Sequence, residues 1–432
     1  MKKKFIVKLI LLIVLCCFFQ AKAIAQEKIS IDLDQAVEMA VQESEDYKLS
    51  VNEVIKRNQQ YRQSKSAIYP RLNADISWLN NFEYPNSVRK TTRDYSFDAG
   101  VSVSQLVWSF GKVSSAIRFA RQYENIGRLE QEAAKEDIVY ATKINYFSAL
   151  LAQDTHGILA QSLENARENK ILLEKRSSSG RSPRRDLIKM EADIASRIPS
   201  VNEARAGLNS AIRSLKVITG ISATDKVELA DINMLEKTLI KKEKYIASLN
   251  ANEPTIKALE SSLKAQDEVI KIRRAGYYPT ISAFASWDEM GISDDADLYN
   301  GNADGYGVAG VKVSVPLWTG GQTASELEQA RIDKRSAKLV LQKTKKQFSL
   351  NLENALSEYQ EYIKTLEANI HAVELAKESF ELTRDMFTTG KVTLADLNDA
   401  ELMLTGELLN KQVTLYNLNL TKAKIERLAG MK

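Results

Sequence analysis

SAIYPRLNADISW (66–78) aligns residue for residue with AGYYPTISAFASW (275–287) at an offset of 209, placing Tyr69-Pro70 over Tyr278-Pro279 and Trp78 over Trp287. VSVSQLVWSFGK (101–112) aligns with VKVSVPLWTGGQ (311–322) at an offset of 210, pairing Trp108 with Trp318 and Gly111 with Gly321. Further on, SSSGRSPRRDLIKME (177–191) aligns with FTTGKVTLADLNDAE (387–401), which pairs Gly180 with Gly390, Asp186 with Asp396 and Glu191 with Glu401. One offset kept across separate landmarks is the mark of an internal duplication, so each half carries the same ordered elements.

Within each half two segments alternate with period two, the pattern of half-buried strands. Leu72, Ala74, Ile76 and Trp78 face one way, with Asn73, Asp75 and Ser77 on the other side. Phe97, Ala99, Val101 and Val103 repeat the pattern, and their counterparts are Ile281, Ala283, Ala285 and Trp287, then Ala309, Val311, Val313 and Val315. Pro70 and Pro279 open strands and Pro316 closes one, where a missing donor is tolerated. These positions predict strands near 70–83, 94–108, 279–288 and 305–318. Leu79 to Arg93 and Asp288 to Asp304 are then the connections at the end away from the helices.

The rest reads as helix, above all the proline-free runs from Lys112 to Ser178 and from Gln322 to Thr388. At 1.5 Å per residue each reaches about 100 Å. Leu352, Leu356, Tyr359, Ile363, Leu366, Ile370 and Val373 recur in steps of four and three, a coiled-coil repeat. Their expected partners are Leu397, Leu404, Leu408, Leu415 and Leu418. Pro199 predicts a kink or break in the matching helix of the first half.

Residues 1–25 read as a secretory signal: MKKKF, an apolar run from Ile6 to Phe19 and the small-residue site Ala23-Ile24-Ala25. The whole chain carries 60 Lys and Arg against 56 Asp and Glu, and five of the lysines lie in this segment, so the remainder is near neutral. That removes any global charge argument for nucleic acid. Both cysteines, Cys16 and Cys17, lie in the signal, which excludes thiol catalysis and disulfides from the processed chain. Leu15 before Cys16 argues against lipidation.

Four alternating strands with one apolar face cannot stand open in lipid, because every unpaired backbone group there costs several kcal/mol. Four are too few to close a barrel, whereas three copies supply about twelve, an even number in the range of membrane barrels. Membrane strands of this kind therefore require a homotrimer with a polar lumen. Trp78 and Trp287 at the far strand ends, with Trp108 and Trp318 at the ends near the helices, predict two aromatic levels at the membrane interfaces.

The duplicated order of helix, two strands, long helix, glycine-centred turn and helix resembles the TolC family of outer-membrane efflux proteins over nearly the whole processed chain. ISIDLDQAVEMAV (29–41), SLNANEPTIKAL (248–259), the Leu-Trp-then-Gly segments (107–111 and 317–321) and TTGKVTLADLNDAEL (388–402) carry the likeness. It implies an α+β chain dominated by long α-helices, forming a trimeric helical barrel continued by a twelve-stranded membrane β-barrel. The implied organisation is a signal at 1–25, a first repeat at 26–219 with its helical hairpin at 112–219, an equatorial segment at 220–250, and a second repeat at 251–432 with its hairpin at 321–430. The implied partners are two further copies, a periplasmic adaptor (membrane fusion) protein, an inner-membrane pump and outer-membrane lipid, in a Gram-negative outer membrane with a large periplasmic portion.

No catalytic or cofactor constellation emerges. His156 and His371 do not correspond under the repeat and have no metal-site context. GYGVAG (305–310) matches a dinucleotide fingerprint but leads into a strand, so its glycines are assigned to strand packing. Thr393 with Asp396 has capping-box spacing, and acids at a helix start suit the backbone dipole. The resemblance gives Asp396 and Asp399 a second role, an aspartate ring closing the periplasmic entrance. It likewise makes Gly180, Arg181, Gly390 and Lys391 adaptor-docking tips, although Lys189 stands where the second half has Asp399. The reading is a passive exit duct for drugs or toxic compounds in a tripartite pump, without enzymatic activity, cofactor or metal. The alternatives are a duct for protein secretion or metal efflux and, in another class, a soluble periplasmic coiled-coil scaffold.

Overall fold

In the computed structural model, residues 28–80, 82, 94–178, 182–230, 241–294 and 302–431 are described. The signal segment, Gly180, Arg181, most of the first strand-connecting stretch and residues 295–301 of the second fall outside them. The first repeat runs β1 (Lys28–Ile31), α1 (Leu33–Glu43), α2 (Glu45–Ser66), β2 (Arg71–Asn80), β3 (Tyr95–Trp108), α3 (Lys112–Ser178) and α4 (Arg184–Thr219). After β4 (Lys226–Leu229), the second runs α5 (Lys242–Asn252), α6 (Pro254–Arg274), β5 (Thr280–Ser293), β6 (Asn302–Ser314), α7 (Gln322–Thr389) and α8 (Leu394–Ala429).

The long helices α3 and α7 have 67 and 68 residues, about 100 Å each at the α-helical rise. Each folds back along a 36-residue helix, α4 or α8. Pro199 lies inside α4, which continues through it to Thr219, so of the expected kink or break the helix shows no break. Proline removes one intrahelical bond, and α4 packed along α3 tolerates that local loss. The predicted seam of the second half is present in part: Leu352, Leu356 and Tyr359 are buried in one cluster with Leu418 and Ile425, with Ile363 and Leu366 packed against it, whereas Leu397 and Leu404 join a separate cluster with Phe380 and Phe387.

At mid-length a parallel pair, β1 with β4, sets the start of the first repeat against the segment that follows that repeat. The buried Tyr146 hydroxyl of α3 lies 3.0 Å from the Ile31 carbonyl and 2.9 Å from that of Ala230, fastening both strands to the helix. Lower in the same belt, Arg427 of α8 bonds Asp137 at 2.7 Å and the fully buried Glu253 at 3.1 Å.

The remaining strands form one antiparallel sheet in the order β2-β3-β5-β6. The central pair, β3 with β5, joins the hairpin of one repeat to that of the other. β5 runs to Ser293 and β6 starts at Asn302, so Asp288, Glu289 and Asp304 lie in strands and the second connection is shorter than expected. Continuous pairing of Asp288 with Tyr306 and Met290 with Asp304 carries the ladder through acidic residues that composition alone assigns to a loop.

Candidate functional site

The sheet register decides which side chains share a face, because paired residues of an antiparallel ladder point the same way. Leu72, Val103, Ala285 and Ala309 form one row; Ala74, Val101, Trp287 and Gly307 form the next. On the opposite face, Asn73, Ser102, Ser286 and Val308 share a row with Asp75, Gly100, Asp288 and Tyr306 beyond it. The apolar face has no cover within the chain, since Leu72 is 72% and Ile76 77% exposed. β2 and β6 each leave one edge unpaired in this sheet.

The tryptophans do not form the two levels expected. Trp78 lies near the far end of β2 and stacks on Tyr95 with ring centres 5.8 Å apart. Trp287, however, sits mid-strand in β5, two rows nearer the helices. Its indole covers β6, where a Cβ at Gly307 would fall 3.0 Å from Cε3 and one at Gly305 3.1 Å from Cζ2. Those glycines make room for the ring, which is why the tryptophan could be absorbed into the sheet instead of ending it. Trp108 closes β3, whereas Trp318 lies four residues past β6. Near Trp108, Phe110, which the sequence patterns did not single out, stacks on Tyr278 of the other repeat at 5.3 Å.

At the other end of the molecule the tips of the two hairpins meet. Gly390 ends α7 with φ of 79°, a left-handed turn conformation open to glycine at little cost. Thr393 then caps α8: its hydroxyl accepts from the Asp396 amide at 3.2 Å, and Asp396 Oδ2 accepts from the Thr393 amide at 2.8 Å and hydroxyl at 2.7 Å. The Thr393 hydroxyl, then its amide, holds the Asp396 carboxyl below the usual aspartate range. Asp396 and Asp399 are both exposed on one side of α8, while Leu394, Leu397 and Ala400 are buried on the other. The capping box is present, and both residues are exposed to solvent. Lys391 and Lys189 are exposed as well.

The buried side of the tip is one core of four helices. Ala166, Leu173 and Met190 from the first hairpin pack with Phe380, Phe387, Leu394 and Leu397 from the second. Polar links cross the same seam. Arg197 of α4 forms an ion pair with the buried Glu401 of α8, and Ser162 of α3 donates to Glu401 at 2.8 Å. Arg384 of α7 pairs with Glu168 of α3 at 2.7 Å. Arg176 at the end of α3 donates to the Phe387 carbonyl at 2.5 Å, with its guanidinium 4.5 Å from the centre of the Phe387 ring. Of the residues in these polar links, only Glu401 was singled out by the sequence patterns. Long-range charge pairing leaves no periodic signal.

His156 and His371 lie within long helices, and His371 stands 3.6 Å from Glu374 on an exposed surface. Among the described residues no group of three or more His, Cys, Asp or Glu converges to hold a metal ion. Among them too, no helix is long and apolar enough to cross a membrane. The sheet is the element whose surface suits lipid.

The outer membrane efflux protein family model matches the chain twice, at residues 36–221 and 245–431. The cation efflux system protein CusC of Escherichia coli K12 is 23% identical over 393 residues, covering 88% of this chain and 81% of that protein. Two solved structures share the fold: the CmeC outer membrane channel of Campylobacter jejuni, with a TM-score of 0.79, 18% identity and coverage of 92% of this chain and 85% of that one, and the outer membrane protein VceC of Vibrio cholerae, at 0.79, 17%, 92% and 96%.

Proposed function

The chain belongs to the outer membrane efflux protein family, as a Gram-negative outer-membrane efflux channel protein with a large periplasmic helical portion, and we propose that it works as a homotrimeric exit duct that catalyses no reaction. The observation that carries this reading is the sheet, with its uncovered apolar face and two free edges. Pairing β6 of one copy with β2 of the next satisfies both edges, and three copies close about twelve strands round a polar lumen. The long hairpins continue that lumen through the periplasm.

In this reading the duct receives drugs or other toxic compounds from an inner-membrane pump through a periplasmic adaptor. The tips around Gly180, Arg181, Gly390 and Lys391 meet the adaptor, and Trp78, Trp108, Trp287 and Trp318 meet the lipid. Asp396 and Asp399 gather round the threefold axis at the entrance, where about six carboxylates between low-dielectric walls attract cations and disfavour anions. The likeness to a cation efflux system protein supports metal cations as a second substrate class.

Recovery in the outer-membrane fraction, with release only by detergent, is the expected outcome of cell fractionation; recovery in the soluble periplasm would return the scaffold reading. In planar bilayers the purified trimer should prefer cations and be blocked by trivalent cations from the periplasmic side. Asp396→Ala with Asp399→Ala should abolish the block without disturbing assembly. Unchanged block in that variant would remove the gate assignment. A deletion strain sensitised to apolar drugs but not to metal salts supports the first substrate class, and the opposite pattern the second.

A further inference from the structure

The second repeat carries a clasp at mid-length that the first repeat lacks. Glu253, the N-cap of α6, is fully buried and holds Arg427 of α8 at 3.1 Å, and the same guanidinium reaches Glu136 of α3 at 3.3 Å and Asp137 at 2.7 Å. The counterpart of Glu253 is Ser44, the N-cap of α2, with nearly the same backbone angles: φ −58° and ψ 121° against −57° and 116°. The counterpart of Arg427 is Val217, which precedes the capping Gly220 as Arg427 precedes Gly430. Where the arginine fills the second repeat, the first has a cleft of about 640 Å³ lined by the run Glu43-Ser44-Glu45-Asp46 and by Arg213 and Val217. Val217 stands 84% exposed. Glu43 is answered by Lys48 of its own helix pair at 3.4 Å, whereas Glu45 and Asp46 lie exposed in the first turn of α2. The dipole of α2 suits acids at that position. It does not account for the uncovered valine beside them.

In the proposed trimer, on which this inference rests, pairing β6 of one copy with β2 of the next lays α7 of the first along α2 and α4 of the second, as α3 lies along α6 and α8 inside the chain. At the 210-residue offset, Glu136 and Asp137 of α3 have Lys346 and Gln347 of α7 as counterparts, and Tyr140 has Leu350. Tyr140 shares a cavity with Ala423 and Arg427, so Leu350 comes beside Arg213 and Val217 of the next copy. Leu350 is 52% exposed in the single chain, and Lys346 is exposed with it. One level away, the Lys143–Glu426 pair at 2.7 Å has Glu353 and Lys216 as counterparts, again of opposite charge. Within its own chain Glu353 lies 3.6 Å from Lys242, an exposed pair that contributes little.

We infer that the cleft at Ser44 and Val217 is the docking site for α7 of a second copy: Lys346 enters beside Glu45 and Asp46, Leu350 covers Val217, and Glu353 meets Lys216. The polarity of this clasp is the reverse of the one within the chain. There α3 presents acid at Glu136 and base at Lys143; between chains α7 presents base at Lys346 and acid at Glu353. Two first hairpins brought together would set Glu136 against Glu45 and Asp46, and Lys143 against Lys216. Two second hairpins would set Lys346 against Arg427, and Glu353 against Glu426. Like charges at both levels oppose either arrangement, so the belt selects alternation of the two kinds of hairpin as the ring closes.

The test uses the purified full-length protein in detergent. Lys346→Glu should speed dissociation of the trimer about tenfold, since it sets like charges against each other at an interface. Glu45→Lys with Asp46→Lys in that background should restore the slow rate, which a misfolded variant would not do. Asp46→Cys with Lys346→Cys, joined by a short thiol-reactive linker, should give covalent dimers and trimers on a denaturing gel, because both natural cysteines lie in the signal segment. A protein that sizes as a trimer yet gives no link between chains overturns the inference. So does an unchanged dissociation rate in Lys346→Glu, or a rate that the reversed acids fail to restore. A parent protein that sizes as a monomer overturns the trimer reading as well, which separates the two failures.

Discussion

The strands and the long helices bury apolar side chains against different things. In the helical shaft the partners lie within the chain: Phe387 and Leu397 are 2% and 0% exposed in a core drawn from four helices. In the sheet the partners lie outside it, and Ile76, Trp78 and Trp287 stay exposed although their rows are regular. A row of apolar side chains without a protein partner is ordinary instability in water and ordinary architecture in lipid. The difference lets one chain carry a water-stable periplasmic body and a membrane-stable wall, with the boundary near Trp108, Phe110 and Tyr278.

The largest expected effect tests the closed half of that comparison. Phe387→Ala removes a ring buried among four helices and leaves Arg176 without its stacking surface, which should cost about 3–5 kcal/mol in unfolding followed by helical circular dichroism in detergent. Ile76→Ala should move the same transition by no more than about 0.5 kcal/mol, because its side chain makes no helical contact. Equal losses at the two sites would show that the sheet too is packed within the chain.

Next in size is the test of which sheet face meets lipid. Ala74→Arg places a charge in the apolar row shared with Val101 and Trp287 and should cost about 2–4 kcal/mol near the bilayer middle, read as loss of heat-stable, membrane-inserted protein. Asn73→Arg, one residue before it and on the other face, should insert normally. The reverse pattern would turn the sheet inside out.

Legibility followed the same division. Period-two alternation showed the faces of β2 and β3, and the absence of proline showed α3 and α7, because both depend on local sequence. The ends of β5 and β6 were obscured because acids at Asp288, Glu289 and Asp304 suggest a loop, while ladder pairing with the neighbouring strand keeps them extended. Trp287 was misplaced for a related reason: its room depends on Gly305 and Gly307, which only the register brings beneath it. At the tip, the Thr393–Asp396 cap was legible at three-residue spacing, whereas Arg197 and Glu401 lie too far apart in sequence to be paired by any periodic rule.

A smaller effect is expected where the sheet is packed within itself. Gly307→Val sets a branched side chain against the Trp287 ring, where even a Cβ would fall 3.0 Å away. The indole must tilt off β6, at a cost of about 1–3 kcal/mol. Trp287 fluorescence should shift and the heat stability of the inserted protein should fall, while the helical transition stays put. An unmoved emission spectrum would mean that the ring does not rest on β6.

The smallest effect separates the two carboxylates at the entrance, which the fold treats differently although both are exposed. Asp396 is held by the Thr393 hydroxyl and amide, and both bonds fall on Oδ2. Its carboxyl is therefore more acidic in the folded chain than in the unfolded one. The sign follows: a depressed folded value makes the stabilisation complete above the unfolded value, and it is lost as pH falls through the folded one. If Asp396 supplies part of the trivalent-cation site, block should persist into acid until that carboxyl takes its proton. Thr393→Val removes the hydroxyl that is the first cause of the shift, so the loss of block should move to higher pH in the variant, toward the ordinary aspartate range. In Asp396→Asn the remaining block depends on Asp399 alone and should no longer respond to Thr393→Val. A Thr393→Val profile that overlays the parent would mean that Asp396 caps α8 and contributes nothing to the block, leaving Asp399 to carry the charge at the entrance.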